Sequence, residues 1–193
     1  VRTRESTVRA QLLFRSGEPY SRRLLEETER NLRELSFLRE PRVRPVRFRD
    51  GLVDVEVETH DVWTLQLGPS FGRSGGKNHS SVSFEDSNLL GRGKTLILEV
   101  RQDVDRDATS FEWRDPNILG SRWQNSLYWS DASDGHAARL AVWRPFYALN
   151  VRRAYGLSLA DSRQTDTRYR LGDPFDDYRR DQQWFDAWVG WSK

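Results

Sequence analysis

A glycine-rich segment that ends in lysine and threonine comes closest in this chain to a catalytic motif. Residues 88–95, Asn-Leu-Leu-Gly-Arg-Gly-Lys-Thr, differ from a phosphate-binding P-loop at the first position, where Asn88 replaces glycine. A P-loop opens a helix whose N-terminal amides hold the phosphates. Residues 95–103 instead alternate between apolar and polar side chains, which indicates a strand. The pattern therefore does not favour nucleotide binding.

A second segment, Gly72-Arg73-Ser74-Gly75-Gly76, matches the pattern around the nucleophilic serine of α/β-hydrolases. That serine needs a turn from a strand into a helix, whereas residues 80–86 alternate as a strand does. A hairpin tip is the favoured interpretation. A barrel enzyme that uses Ser74 and His79 stays open as an alternative, although no feature of the sequence pairs a serine with a histidine.

The remaining reactive residue types predict neither a metal site nor a cofactor. His60, His79 and His136 lack the spacing of metal ligands, and the absence of cysteine excludes disulfides and thiolate ligands. Arginine pairs occur at 152–153 and 179–180, aspartates are interleaved around the second pair at 176, 177 and 181, and the net charge is only +2. We therefore expect solvated loops or contacts with anionic lipid headgroups at these arginines, and no nucleic-acid partner.

The composition changes near Asp61 and divides the chain of 193 residues into two predicted parts, 1–60 and 61–193. The first sixty residues hold only four aromatic residues, whereas all eight tryptophans follow Asp61. The longest apolar run is four residues, far below the roughly 20 of a membrane-spanning helix. The chain begins at Val1 without a signal segment, and we interpret it as a processed or excised piece.

The first part has the pattern helix, helix, strand, strand. Leucines recur at helical spacing after Ser21, which is a candidate N-cap. Asp50-Gly51 predicts a tight turn between strands 42–49 and 52–58. In the second of these strands, the apolar residues alternate with acidic ones: Val53, Val55 and Val57. The pattern predicts a small α+β module.

The second part predicts antiparallel strands of roughly nine to twelve residues, each alternating between apolar and polar side chains. The turn Asn88-Leu89-Leu90-Gly91 recurs 29 residues later as 117–120, which fits a repeating hairpin unit. The turns at the other ends of the hairpins are polar, so the two ends of the predicted meander differ. Residues 161–183, rich in arginine and aspartate, are predicted to form a long loop around Gly172.

The apolar positions of these strands could face either lipid or a protein core. Strands of about ten residues match the nine to eleven that cross a bilayer, and several tryptophans lie near strand ends, as in an interfacial girdle. A soluble antiparallel sandwich would show the same alternation. For the bilayer interpretation, the membrane-facing residues are Leu96, Leu98, Val100, Phe111, Trp113, Trp123, Leu127 and Trp129.

Several segments together resemble the outer-membrane assembly superfamily, the BamA/TamA-like bacterial surface antigens. In the first part the resemblance lies in Thr3-Arg4-Glu5, residues 12–20 and the helix with Glu29-Arg30-Asn31-Leu32-Arg33 before Phe37-Leu38. In the second part it lies in residues 61–65, 88–93 and 115–121. The Arg-Gly-Phe motif of the family's inward-folded loop and a closing aromatic strand are not in this chain.

The resemblance implies a mostly β protein: the C-terminal part of a periplasmic POTRA module (α-α-β-β), then about eight antiparallel meander strands that form the first half of an outer-membrane β-barrel. It also implies a Gram-negative outer-membrane location and a non-enzymatic role in outer-membrane protein assembly or polypeptide translocation. The implied partners are unfolded outer-membrane or secreted polypeptides, outer-membrane lipids, and periplasmic or lipoprotein subunits.

In this family a client strand pairs with a sheet edge of the POTRA module and with the opening barrel strand. The corresponding POTRA edge here is Val53, Val55 and Val57, and the opening strand is about 62–71. The residues expected to pair with a client at this seam are Val62, Trp63, Thr64, Leu65, Gln66, Leu67 and Gly68. The alternatives are a passive outer-membrane barrel or transporter with a sealed seam, and a soluble α+β binding module.

Overall fold

The computed structural model describes residues 2–74, 77–103, 106–171 and 173–192, so the predicted tips at Gly75-Gly76 and Val104-Asp105 and the predicted loop centre Gly172 lie outside the described residues. A short helical layer is followed by one large sheet. The elements are α1 (Glu5–Arg9), α2 (Arg22–Arg33), β1 (Leu38–Arg49), β2 (Leu52–Asp61), β3 (Leu65–Ser74), β4 (Lys77–Asp86), β5 (Thr95–Gln102), β6 (Asp107–Asp115), β7 (Gln124–Ala132), β8 (Gly135–Arg144), β9 (Arg153–Arg170) and β10 (Asp173–Trp191).

The N-terminal layer consists of α1, α2 and the β1–β2 hairpin, in the predicted order. The hydroxyl of Ser21 accepts a hydrogen bond from the Leu24 amide, as expected of an N-cap. The apolar stripe of α2 packs on the hairpin to form a small core of Leu25, Leu32, Phe37, Leu38 and Val43. This is the same apolar spacing that predicted the helix from the sequence.

The β1–β2 hairpin closes at Asp50-Gly51, where both residues have positive φ (51° and 77°). This conformation matches the twist of a two-residue hairpin. Both strands are longer than predicted, because β1 begins at Leu38 and β2 continues to Asp61. Register shifts between Arg39 and Arg42 and between Pro45 and Arg47 let β1 continue past its prolines.

Strands β3 to β10 form one antiparallel sheet of eight strands, in which each strand pairs with the next along the chain. The prediction of about eight meander strands is confirmed. Residues directly opposite one another share a face of a sheet, and the register therefore defines an apolar face. Its members include Leu67, Val82, Phe84, Leu96, Leu98, Val100, Phe111, Trp113, Leu127, Trp129, Leu140, Val142, Leu157, Leu159, Phe185 and Val189.

The opposite face, the polar face, carries small and charged side chains such as the row Gly68, Ser83, Glu99, Ser110 and Ser130. Trp143 is one of the tryptophans whose place near a strand end predicts a position in the interfacial girdle, but it lies on this polar face instead. It is opposite Gly156, which is in turn opposite Trp188. A Cβ on Gly156 would lie 2.5 Å from the Trp188 indole nitrogen, so this glycine makes room for the ring.

The repeated turn predicted from the sequence forms two equivalent 3-10 turns, at Leu89–Gly91 and Ile118–Gly120. In each, the amide of the asparagine bonds to an aspartate two residues earlier: Asn88 to Asp86 at 2.9 Å and Asn117 to Asp115 at 3.0 Å. The leucine before the glycine of each turn, Leu90 or Leu119, is left-handed, with φ of 54° and 51°. The repeated unit therefore includes this aspartate and begins two residues before the asparagine.

The prediction of a loop over 161–183 is wrong, because β9 and β10 continue through it as a two-stranded ribbon. β8 reaches only as far as Gln164, so the remaining ribbon residues have water on both faces and no apolar alternation. Ion pairs between the strands replace that alternation, including Arg168–Asp176 at 3.7 Å and Arg180–Asp166 at 3.1 Å.

Within the described part of the chain, neither α-helix has the length and apolar content needed to span a membrane.

Candidate functional site at the edge of β3

The first strand of the large sheet pairs with β4 alone among the described residues, and this leaves one edge without a strand. The Ser87 amide donates to the Thr64 carbonyl, which fixes the even-numbered residues of β3 as the ones bonded to β4. The backbone groups of Leu65, Leu67, Phe71 and Arg73 therefore point away from the sheet. Pro69, in the same series, offers only a carbonyl.

The predicted strand starts at Val62, whereas the structure starts it at Leu65. The Val62 amide donates to the Phe37 carbonyl at 3.2 Å. The Thr64 hydroxyl donates to the Asp86 carboxylate at 2.8 Å, and Thr64 is only 5% exposed. Val62 and Thr64 thus tie the strand to its surroundings and are not free for pairing. The accessible part of the predicted seam is Leu65 to Gly68, and the edge continues to Arg73.

Trp63 lies beside the beginning of this edge and is 79% exposed. Its indole Nε1 donates to the carbonyl of Leu65, the first residue of β3. That carbonyl belongs to the outward-pointing series, so the indole occupies the first acceptor that an added strand would use. Trp63 is therefore a side-chain cap on the edge.

The two faces of the edge strand differ in bulk. Leu67 and Phe71 project from the apolar face and are exposed. On the polar face, Gly68 is opposite Ser83, whose hydroxyl donates to the Gly68 carbonyl at 3.3 Å. At Gly72 a Cβ would lie 1.9 Å from the His79 ring, so the imidazole covers this glycine. The edge strand therefore exposes apolar side chains on one face, whereas side chains of β4 lie against its glycines on the polar face.

A second strand edge lies in the N-terminal layer. Among the described residues β2 pairs with β1 alone. A groove of about 1490 Å³ runs between α1 and β2, and Val53, Val55 and Val57 help to line it. Val55 and Val57 also pack against the helical core. The three valines of the predicted edge are thus half-buried at the floor of an open groove.

The eight residues predicted to face the membrane all lie on strands β5–β7 or immediately before β7. Seven of them belong to the apolar face by register. The eighth, Trp123, packs its ring 5.3 Å from that of Tyr155, measured between ring centroids. The structure thus brings these side chains together on one surface.

The turns at one end of the sheet dock on the N-terminal layer, a contact that the sequence did not reveal. The first turn accepts from the Arg4 amide at its Gly91 carbonyl, at 2.8 Å. The second contributes Arg122, which donates to the Leu12 carbonyl at 2.7 Å. At the third, the Asn31 side chain donates to the Tyr147 carbonyl at 2.9 Å.

Glu27 is also part of this contact, although its position on α2 predicts an exposed side chain. It is only 4% exposed, and its carboxylate accepts a hydrogen bond from the Leu149 amide. The only sequence signal is its place on the border of the apolar stripe. Burial of the helix on this side therefore involves a polar partner.

Arg122 is a partly buried cation of this contact. Its guanidinium lies 4.9 Å from the centre of the Tyr147 ring and also donates to the Gln11 side chain at 3.3 Å. Burial lowers the pKa of Arg122, and Tyr147 acts in the opposite direction. An arginine remains charged under such a shift, because its ordinary pKa lies far above neutral pH. The charge is thus held by carbonyl, amide and aromatic partners.

The last two residues of the P-loop-like segment have structural roles in the sheet. Thr95 begins β5, as the alternation predicts. The Lys94 ammonium lies 2.8 Å from the Asp115 carboxylate and 5.5 Å from the Trp113 ring centre. Its charge is therefore directed at the neighbouring strand.

The other residues considered for chemistry are dispersed. Ser74 is paired with Lys77 at the end of β3, and strand β4 follows. His60 lies beside Glu58, and His136 lies beside Asp161. Among the described residues, no three histidine, aspartate or glutamate side chains form a group that could hold a metal ion.

No protein-family model matches the sequence, and no curated protein matches it either. Among solved structures, the chain is similar to the crystal structure of BamA from Haemophilus ducreyi lacking POTRA domains 1–3. The two are 14% identical with a TM-score of 0.57, and the match covers 100% of this chain and 42% of that one. The chain thus spans less than half the length of this structure. The similarity shows the fold: the eight-stranded meander resembles half of a BamA-type β-barrel.

Proposed function

We propose that this chain is part of an outer-membrane machine that inserts or translocates polypeptides. The observation that carries the proposal is the edge of β3, where outward-pointing backbone groups lie next to an apolar face in a BamA-like fold. A polypeptide that adds a strand here satisfies its own amides while it moves into lipid. The chemistry is main-chain hydrogen bonding, so the proposed role is non-enzymatic.

The same proposal assigns residues 1–60 to the end of a POTRA-like module in the periplasm and residues 61–193 to the first half of an outer-membrane barrel. Its support is the α-α-β-β order and the match to the BamA structure over the whole chain. The groove along β2 would receive extended clients before they reach β3. Outer-membrane lipids and periplasmic or lipoprotein subunits are the further proposed partners.

Cysteine cross-linking tests this proposal, because the chain has no native cysteine. Gln66→Cys in the full-length protein is combined with a stalled outer-membrane client that carries a single cysteine near its last strand. The control is Ser126→Cys on the polar face of β7, which has strand neighbours on both sides. We expect a disulfide-linked product at Gln66 and none at Ser126. If neither position cross-links, a passive barrel with a sealed seam is favoured and the proposal is wrong.

A further inference from the structure

The apolar face has a step in its border at strands β8 to β10. Trp129, Ala138, Asp161 and Gln183 lie in one row across β7, β8, β9 and β10. The row is apolar on β7 but polar on β9 and β10. On β9 and β10, polar side chains therefore begin one row earlier than on β7. One row corresponds to two residues, or about 7 Å along the strand.

A groove lies at this step. It has a volume of about 430 Å³, within the range of about 300–1,000 Å³ typical of ligand pockets. Its apolar walls are Leu127, Leu140, Leu159 and Phe185. Ala138, with the smallest side chain of the row, forms the depression between them. The groove has the shape and surface suited to a hydrocarbon chain.

One end of the groove is polar and carries separated charges. Asp161 and Gln183 line both this groove and an adjoining cavity of about 360 Å³, which also reaches Arg163 and Asp181. Asp181 accepts from Arg163 at 2.8 Å and lies 3.2 Å from the Arg179 guanidinium, so two cations share one carboxylate.

Asp161 has no guanidinium partner in the described part of the chain. Its partners there are the Gln183 amide at 3.1 Å and the His136 imidazole at 3.4 Å. The Asp161 side chain is 50% exposed. The polar end thus offers a carboxylate on one side and excess guanidinium charge on the other.

We propose that this groove binds a zwitterionic phospholipid of the phosphatidylethanolamine type. One acyl chain lies over Ala138, the phosphate lies against Arg163 and Arg179, and the ammonium group lies against Asp161. Charge complementarity supports this choice, because Asp161, Arg163, Arg179 and Asp181 sum to zero and a zwitterion carries no net charge. Arg139, which also lines the groove, belongs to the polar face by register. The inference rests on the proposed function, in which the apolar face contacts lipid.

The test uses the full-length protein, reconstituted in bilayers that contain phosphatidylethanolamine, phosphatidylglycerol and lipid A and then extracted in mild detergent. Retained lipid is measured by native mass spectrometry. We expect at least about tenfold enrichment of phosphatidylethanolamine over the two anionic lipids. Ala138→Phe should abolish that retention, because the ring fills the groove. The control Ala187→Phe lies on the same face outside the groove and should leave retention unchanged.

Asp161→Asn should retain lipid but lose the preference for the ethanolamine headgroup. Preferential retention of an anionic lipid by the unaltered protein would overturn the headgroup assignment, and retention unaffected by Ala138→Phe would overturn the site. Quenching of tryptophan fluorescence by lipids brominated in their acyl chains separates this failure from that of the proposed function. Quenching without selective retention refutes only the groove, whereas absence of quenching refutes the membrane placement as well.

Discussion

The guanidinium of Arg122 donates a 2.7 Å hydrogen bond to the backbone carbonyl of Leu12, which lies 110 residues earlier in the chain. This bond joins the second repeated turn of the sheet to the segment after α1. Together with the contacts of the first and third turns, it fixes the N-terminal layer under one end of the sheet. The edges of β2 and β3 therefore belong to one connected scaffold.

Replacement of Arg122 by alanine should weaken this contact. A hydrogen bond from a charged group contributes about 1.5–3 kcal/mol, and the Leu12 carbonyl would lose its partner. We expect a loss of that size in the free energy of unfolding, measured by urea denaturation, and faster hydrogen exchange near Leu12. Arg92→Ala, an exposed arginine of the first turn, is the matched control and should cost less than about 0.5 kcal/mol. Equal losses in the free energy of unfolding for Arg122→Ala and Arg92→Ala would contradict the role of Arg122 in this contact.

Two glycines at equivalent positions of the repeat should respond differently to alanine. Gly91 and Gly120 both have positive φ, 73° and 76°, and alanine there costs about 1–2 kcal/mol. A Cβ on Gly91 would also lie 2.2 Å from the Arg2 carbonyl oxygen, whereas one on Gly120 meets nothing within 4 Å. Gly91→Ala should therefore destabilise the protein by about 2 kcal/mol more than Gly120→Ala.

Thermal or urea unfolding of the two variants measures this difference. Hydrogen exchange at the Arg4 amide, which bonds to Gly91, should increase only in Gly91→Ala. If the two variants unfold alike, the first turn is not docked on the N-terminal segment.

Pro69 should limit strand addition at the edge of β3. Its position lacks the outward N–H that an alanine would supply, so Pro69→Ala completes the series of donors from Leu65 to Arg73. We expect more pairing at this edge, seen as a several-fold higher yield of client cross-linked to Gln66→Cys. Ser70→Ala is the control, because the Ser70 backbone faces β4. An unchanged or lower yield in Pro69→Ala would show that this edge does not receive the client.

Local patterns were sufficient to predict the order of the elements. The Ser21 cap, the leucine stripe of α2 and the Asp50-Gly51 turn each specify structure within a few residues. The alternation of apolar and polar side chains in 95–103 and the neighbouring segments likewise predicted strands, because a strand places its apolar side chains on one face and its polar side chains on the other. The resemblance to a known superfamily predicted what these patterns lack, namely the half-barrel fold, and the client-pairing seam stays a prediction of that resemblance.

The features that the sequence did not reveal depend on distant partners. Val62 and Trp63 continue an apolar pattern, yet the Val62 amide is taken by Phe37 and the strand begins later. Glu27 is buried because the Leu149 amide meets its carboxylate. The outer part of the β9–β10 ribbon has no apolar alternation, since it extends beyond β8 and its two strands are joined by ion pairs.

The central claim is that one face of the sheet contacts lipid and the other contacts water. Single nitroxide labels on engineered cysteines of the full-length protein in its membrane test it most directly, because the chain contributes no native cysteine. The two sets of positions are Leu98, Leu127 and Leu159 on the apolar face, and Glu99, Tyr128 and Ala160 on the polar face. We expect labels on the first set to collide with dissolved oxygen and labels on the second set to collide with a water-soluble nickel chelate. Labels on the first set that are shielded from both reagents would contradict it, because they would be packed in a protein core.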